Sequence, residues 1–228
     1  MDMKIGTSGI PPHFWESKYS KGKDCRLNMP FWIKDIGLNA YEVLYTYGAR
    51  MREENALILK ENVKKTDIWL TVHAAYYVVL TSPKEDVQER SVEELFKAIR
   101  LADIMDAHNV ILHPGYNGDD SEKSYNRFVS NLKLVVKKMK EHGISKPKIS
   151  PEIGGKKSQL GSLKDIIRIC EDVEYTVPCI DWAHLHARED GSLQNINRFN
   201  DIIINCESLF IIKEHKLNYY PFLMLEKK

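Results

Sequence analysis

The 228-residue sequence has no Cys-x-x-Cys pair, no Gly-x-Gly-x-x-Gly turn, no long apolar run and almost no net charge. Each absence narrows the function. Cys25, Cys170, Cys179 and Cys206 are scattered along the chain, which argues against a disulfide scaffold and for reduced thiols in a cytoplasmic protein. The missing glycine-rich turn after the first β-rich run counts against a dinucleotide-binding sheet. The longest apolar stretch, Ile68 to Leu80, contains His73 and is too short to cross a bilayer. The opening MDMKIGTSGIPPHFW has no basic segment followed by an apolar one, so no signal peptide is expected. A formal net charge of +1 creates no global basic field, so a nucleic-acid partner would have to meet a local patch.

What remains is an ordinary globular mix, 29% charged and 43% hydrophobic, read as one domain over 1–228 with no linker, repeat or low-complexity tract. Short β-rich runs alternate with longer helical patterns. The runs are Lys4–Thr7, Ala40–Thr46, Ile68–Ala74, Asn109–His113, Pro147–Glu152 and Val177–Asp181, with Leu209–His215 as a seventh candidate. Leu95, Ile99, Ala102 and Met105 repeat at helical spacing behind an expected capping box of Ser91 and Glu94. Tyr125, Phe128, Leu132, Val135 and Met139 form a second stripe that Gly143 should stop. Ser162 and Asp165 open a third helix. Strands alternating with helices mean βαβ units and a parallel sheet. Both a barrel and an open doubly wound sheet fit this pattern, and a single α/β barrel takes roughly 250 residues.

Four successive runs end in a side chain that can bind a metal: His73 in LTVHAAYY, His113 in VILHPG, Glu152 in ISPEIGG and Asp181 in PCIDWAH. In a barrel the C-terminal ends of the strands form one rim, so these residues would converge although they are far apart in sequence. Imidazoles and carboxylates are the usual zinc ligands, and a carboxylate can bridge two ions. His184 follows Asp181 closely enough to be aimed at the same rim. Each of these alone reads more simply as a hydrogen-bonded polar residue or a helix cap; a shared site rests on all four together. Glu42 fits either the inward face of the second run or a salt bridge, and is read as the salt-bridge partner; His186 is read as a donor behind the ligands, and His13, His108 and His142 as surface residues. Tyr77 and Trp69 are read as packing. Arg50 and Arg52 follow the second run and would reach the same rim, where phosphate contact and plain solvation both fit.

At these residues the sequence resembles the endonuclease IV family of zinc-dependent apurinic/apyrimidinic endonucleases. HAAYY is similar to the family's HAPY segment with Ala75 in place of proline, VILHPG to its second histidine strand, PEIGGKKSQLGS to its glutamate segment and CIDWAH to its Asp-x-x-His segment; GTSGIP is similar to the first strand of archaeal-type members. The resemblance implies a (β/α)8-type TIM barrel that hydrolyses the phosphodiester 5′ to an abasic site in DNA. It implies up to three zinc ions. His73, His113 and Glu152 would hold the first, Glu152 and Asp181 the second, and His184 the third, with Glu152 and Asp181 carrying the catalytic centre. Tyr76 would contact DNA near the lesion, and Arg50 or Arg52 would help distort it.

The resemblance covers about residues 1–205. Beyond it, His215 is a candidate metal ligand at the end of the seventh run, and Glu226 follows the apolar run PFLML as an eighth strand's ligand would. No Asp-x-His segment follows His184. The barrel is therefore expected to be incomplete at its seventh and eighth strands. Such a chain is expected to be a monomer with an open edge that invites dimerisation, and to cleave slowly. Two other readings stay open. One is a sugar or sugar-phosphate isomerase or epimerase on the related metal-dependent barrel; the other is a non-catalytic DNA- or metal-binding remnant.

Overall fold

A computed structural model describes residues 3–212 and 223–224. Six parallel strands form one sheet in the order β5-β4-β3-β2-β1-β6. They are β1 (Ile5–Ser8), β2 (Ala40–Leu44), β3 (Trp69–His73), β4 (Asn109–Leu112), β5 (Lys148–Pro151) and β6 (Leu223–Met224). Beyond β5, segment 176–179 continues the sheet through parallel bridges from Ile149 to Thr176 and from Glu152 to Cys179. All six expected runs thus pair where βαβ logic puts them, although the regular strands are shorter. The Leu209–His215 run does not: Leu209 to Ile212 complete a helix, α7 (Ile196–Ile212), and the remainder lies outside the described residues. An apolar run without strict alternation fits a helix face as well as a buried strand. Part of the PFLML run does pair, because Leu223 and Met224 lie parallel to Ile5 and Gly6, the position that a barrel's last strand takes. Among the described residues, no pairing joins β6 to segment 176–179.

Consecutive helices pack in order around the outside: α1 (Met29–Asp35), α2 (Glu53–Thr66), α3 (Glu85–Ile104) and α4 (Ser121–Glu141), followed by α5 (Leu163–Asp172) and α6 (Trp182–Arg188). Their apolar stripes cover Leu70, Val72, Val110 and Ile149 of the sheet, all fully buried. Tyr125, Phe128, Leu132, Val135 and Met139 form the buried face of α4, and Gly143 follows its end at φ +69°.

The first helix start is misplaced by the sequence reading. α3 begins at Glu85, so Ser91 and Glu94 lie inside it and cap nothing. Their side chains instead accept amides from outside the helix, Val79 at 3.0 Å and Ala49 at 2.6 Å. The third start is as expected. Ser162 Oγ accepts the Asp165 amide at 3.1 Å while Asp165 Oδ2 accepts the Ser162 amide at 2.9 Å. Ser162→Ala should therefore lower stability by about 1 kcal/mol, read as a lower urea midpoint with an unchanged slope. An unchanged midpoint would mean the box contributes nothing.

Candidate metal centre

The rim of the sheet gathers the expected donors. His73 is the last residue of β3, while His113 and Glu152 each follow their strand by one residue. Asp181 caps α6, its Oδ1 accepting the His184 amide at 2.7 Å. Together with Ser8, Leu44, Tyr45, Thr46, Ala74, Tyr76 and His184 they line a cavity of about 240 Å³. Two donor sets emerge, His73–His113–Glu152 and Glu152–Asp181–His184, with the ligand atoms of each within 4.8 Å of one another. Glu152 belongs to both. His184 thus groups with the second set, and nothing among the described residues builds a separate third one around it.

Hydrogen bonds orient the imidazoles. His73 Nδ1 lies 2.8 Å from the Ala74 carbonyl, which only accepts, so Nδ1 carries a proton and Nε2 faces Glu152 Oε2 at 3.3 Å. His184 Nδ1 donates in the same way to the Ile153 carbonyl at 3.0 Å, leaving Nε2 as its basic atom. A second partner that sets the tautomer is the usual support of a metal-binding histidine. His113 Nδ1 is 3.2 Å from Glu152 Oε2, yet it is buried without a properly directed hydrogen bond. Tetrahedral zinc with bonds of about 2.0–2.1 Å separates its donors by about 3.3 Å. The two histidine–glutamate spacings match that edge, and the undirected His113 nitrogen is a donor still lacking its acceptor. The residues fit a metal ion.

Charge is distributed unevenly. Burial alone would lower His73, but the bond and charge of Glu152, backed by Glu42, outweigh it and hold the ring up at about 9. Burial prevails at His113 and lowers it. Glu152 is lowered because His73, His113 and His184 together overcome its burial.

Among the described residues Glu42 forms no salt bridge, contrary to the favoured of its two sequence readings. It is fully buried in β2, where Ser8 Oγ donates to it at 2.7 Å and Thr71 Oγ1 at 3.4 Å. Burial pushes it up to about 7, and the charge of Glu152 adds to this. Of the remaining candidates, Tyr76 stands at the cavity lip, 64% exposed. Arg50 and Arg52 are exposed and line no part of the cavity; Arg52 pairs with Glu54 at 3.7 Å. His186 Nδ1 accepts the Leu193 amide at 3.3 Å, which leaves the proton of the neutral ring on Nε2. His108 stacks flat on Trp69, centroids 3.4 Å apart, and burial lowers it to about 4. It is therefore a packed ring, not a surface one. His215 and Glu226 lie outside the described residues. The lining residues missed from sequence are Ser8, Leu44, Tyr45, Thr46 and Ala74; the strand-end rule that found His73 applies to Ser8 and Leu44 as well, but neither carries an obvious ligand atom.

The profile of the xylose isomerase-like TIM barrel family matches residues 31–216, and the chain belongs to that family. A curated relative from Halothermothrix orenii, named probable endonuclease 4, is 29% identical over 158 residues, 64% of this chain and 55% of that one. The chain therefore spans little more than half that relative's length. Endonuclease IV from Thermus thermophilus has a similar fold at a TM-score of 0.64, with 18% identity, covering 91% of this chain and 71% of that one. D-psicose 3-epimerase from Clostridium cellulolyticum is similar at 0.68, with 15% identity and the same two coverages. Both likenesses show the fold alone. No helix among the described residues is long and apolar enough to cross a membrane.

Two outcomes follow from the charges. The folded pKa of Glu42 lies above its unfolded value of 4.5, so its contribution is least unfavourable below pH 4.5 and destabilises progressively as pH rises through about 7. In chelator-treated protein, Glu42→Gln should therefore gain about 2 kcal/mol at pH 8 and little at pH 5, measured by denaturant melts at both. Equal gains at the two pH values would rule out a buried ionising carboxylate. Metal must displace the proton that His73 holds up to about 9. The zinc Kd should accordingly rise about tenfold for each pH unit lowered between 8 and 7, followed with a competing chelator dye; a flat profile would remove His73 from the ligand set.

Proposed function

We propose that the chain is a zinc-dependent phosphodiester hydrolase acting on abasic DNA, hydrolysing the bond 5′ to the lesion. The observation that carries this reading is Glu152, a buried carboxylate shared by two donor sets rich in imidazole. Neighbouring nitrogen and oxygen donors of this kind suit zinc better than magnesium or calcium. When bound, such ions lower the pKa of water toward about 7 and neutralise charge on a phosphate.

The chain's own groups do the rest. His73 and His184 hold fixed tautomers through the Ala74 and Ile153 carbonyls. Glu152 keeps a charged carboxylate at the centre, and Asp181 offers Oδ2 while Oδ1 caps α6. A cavity of about 240 Å³ has room for a single sugar-phosphate. An abasic nucleotide is poorly stacked, so turning it into the cavity costs less than turning out an intact one. Tyr76 faces the strand at the lip, and Arg50 and Arg52 lie outside it as phosphate contacts. In the reaction a water oxygen bonds to phosphorus and the bond to the 3′-oxygen breaks, leaving a 3′-hydroxyl and a 5′-phosphate.

A sugar isomerase or epimerase is the second reading, favoured by a cavity of monosaccharide size and by the fold shared with D-psicose 3-epimerase. Imidazoles ending both β3 and β4 weigh against it. His113→Ala separates the readings from a purely structural site. It should lose about one zinc per chain and lower kcat/KM on an abasic duplex by at least about 100-fold. Unchanged zinc would sink the ligand assignment. Turnover of ketoses, with none of abasic DNA, would favour the epimerase.

A further inference from the structure

Glu94 lies in α3, away from the donor atoms, and its side chain reaches out of the helix. Its Oε1 accepts the Ala49 amide at 2.6 Å. The Tyr77 hydroxyl lies beside the same carboxylate, and burial first and this carboxylate second hold it above the ordinary tyrosine value. Ala49 belongs to the loop between β2 and α2, Tyr77 to the loop between β3 and α3. One side chain therefore ties together two neighbouring loops at the cavity mouth. Gly48 shows how closely they meet. Its φ is +101°, and a Cβ there would lie 2.9 Å from Glu94 Oε1 and would also strike the Tyr77 hydroxyl.

The two loops carry aromatic side chains that pack on one another in solvent. Tyr47 meets Tyr76 edge-on with centroids 6.3 Å apart, and Tyr76 meets Tyr77 at 5.8 Å. Tyr47 is 70% exposed. Rings with so little packing beneath them keep a fixed orientation only if their backbones are held. The β3–α3 loop has a second hold, the Val79 amide on Ser91 Oγ. The β2–α2 loop is anchored at its start, where the Tyr45 amide donates to the His73 carbonyl; beyond that the amides of Gly48 and Arg50 bond to carbonyls within the same turn, Tyr45 and Gly48, so among the described residues Glu94 supplies the hydrogen bond that ties the far part of this loop to the body of the protein.

We propose that Glu94 is a positioning residue that clamps these two loops, holding Tyr47 and Tyr76 as one preformed aromatic step on which an unstacked nucleobase beside the reacting sugar-phosphate rests. Stacking on such a step tolerates any base. The nucleobase half of this proposal rests on the abasic-DNA reading, whereas the clamp does not.

Hydrogen exchange and kinetics on the zinc-loaded protein test the two halves separately. In Glu94→Ala the Ala49 amide should exchange about tenfold faster, with amides of α4 unchanged. Zinc content should not change, and KM for an abasic duplex should rise about five- to tenfold with kcat within about twofold. Glu94→Gln keeps an oxygen acceptor and should restore both the exchange rate and KM. Unchanged exchange at Ala49 in Glu94→Ala overturns the clamp. Faster exchange with an unchanged KM overturns its role toward substrate, and so does a loss of zinc with a fall in kcat, which would place Glu94's influence at the metal centre. If the wild type cleaves no abasic DNA, the hydrolase reading fails and the nucleobase half with it, while the exchange comparison still decides the clamp.

Discussion

A charged carboxylate that is 2% exposed must find its compensation within a few ångströms, because an unpaired buried charge costs several kcal/mol. At Glu152 that need shapes the surrounding structure. β3 ends on one imidazole and β4 is followed by another, both reaching the same carboxylate oxygen. The chain must then leave the site at once. It does so through a tight loop in which the Gly154 amide donates to the Gly161 carbonyl at 2.9 Å. Gly161 has φ +135°, and a Cβ there would come 2.8 Å from the Gly154 nitrogen, so glycine suits the position both in conformation and in space. From the other side Arg188 donates to the carbonyls of Gly154, Lys156 and Gln159. That guanidinium holds backbone, not a carboxylate, and so braces the loop without drawing charge from Glu152.

Glu42 is the contrasting case. It is as deeply buried as Glu152, yet it is met by two hydroxyls instead of imidazoles. Hydroxyls solvate a carboxylate but supply no opposite charge, and so Glu42 is raised where Glu152 is lowered. The two also repel each other when both are ionised. A barrel interior with two such acids and a cluster of imidazoles is therefore poised to accept positive charge. Cys179 adds to this: burial and the same carboxylates push its thiol well above the ordinary value, which keeps it from competing as a thiolate.

How much of this the sequence carried depends on how local each signal is. The strand-end donors were readable because period-2 runs and strand ends are local, and parallel topology then brings the ends together whatever the loop lengths. Ser162 with Asp165 was readable for the same reason. Ser91 with Glu94 has the same letters and a different outcome, since α3 begins at Glu85 and a mid-helix Ser and Glu are free to bond to neighbouring loops. That outcome depends on tertiary packing that no spacing reveals. Glu42 met a related limit: its letters fit both the inward face of the second strand and a salt bridge, and only its packing against Ser8 and Thr71 decides for the inward face. Leu209 to Ile212 failed on period alone, because an apolar run does not choose between a buried strand and a helix face.

The family holds enzymes with unlike chemistries, so the barrel does not decide the reaction; the kind and access of its donors must. Moving a proton from one face of a sugar carbon to the other takes two acid–base groups that both reach the substrate. In this cavity the second buried acid, Glu42, is sealed at 0% exposure behind Ser8 and Thr71, and Asp181 commits one oxygen to the helix cap. Among the described residues, Glu152 remains as the central carboxylate, flanked by imidazoles on two strands. That arrangement serves poorly as a two-base pair and well as a ligand bridge. Hydrolysis of a phosphodiester asks for the latter, since charge must be neutralised on both the attacking and the leaving oxygen. The donor set thus supports the hydrolase reading on chemistry that the fold itself leaves open.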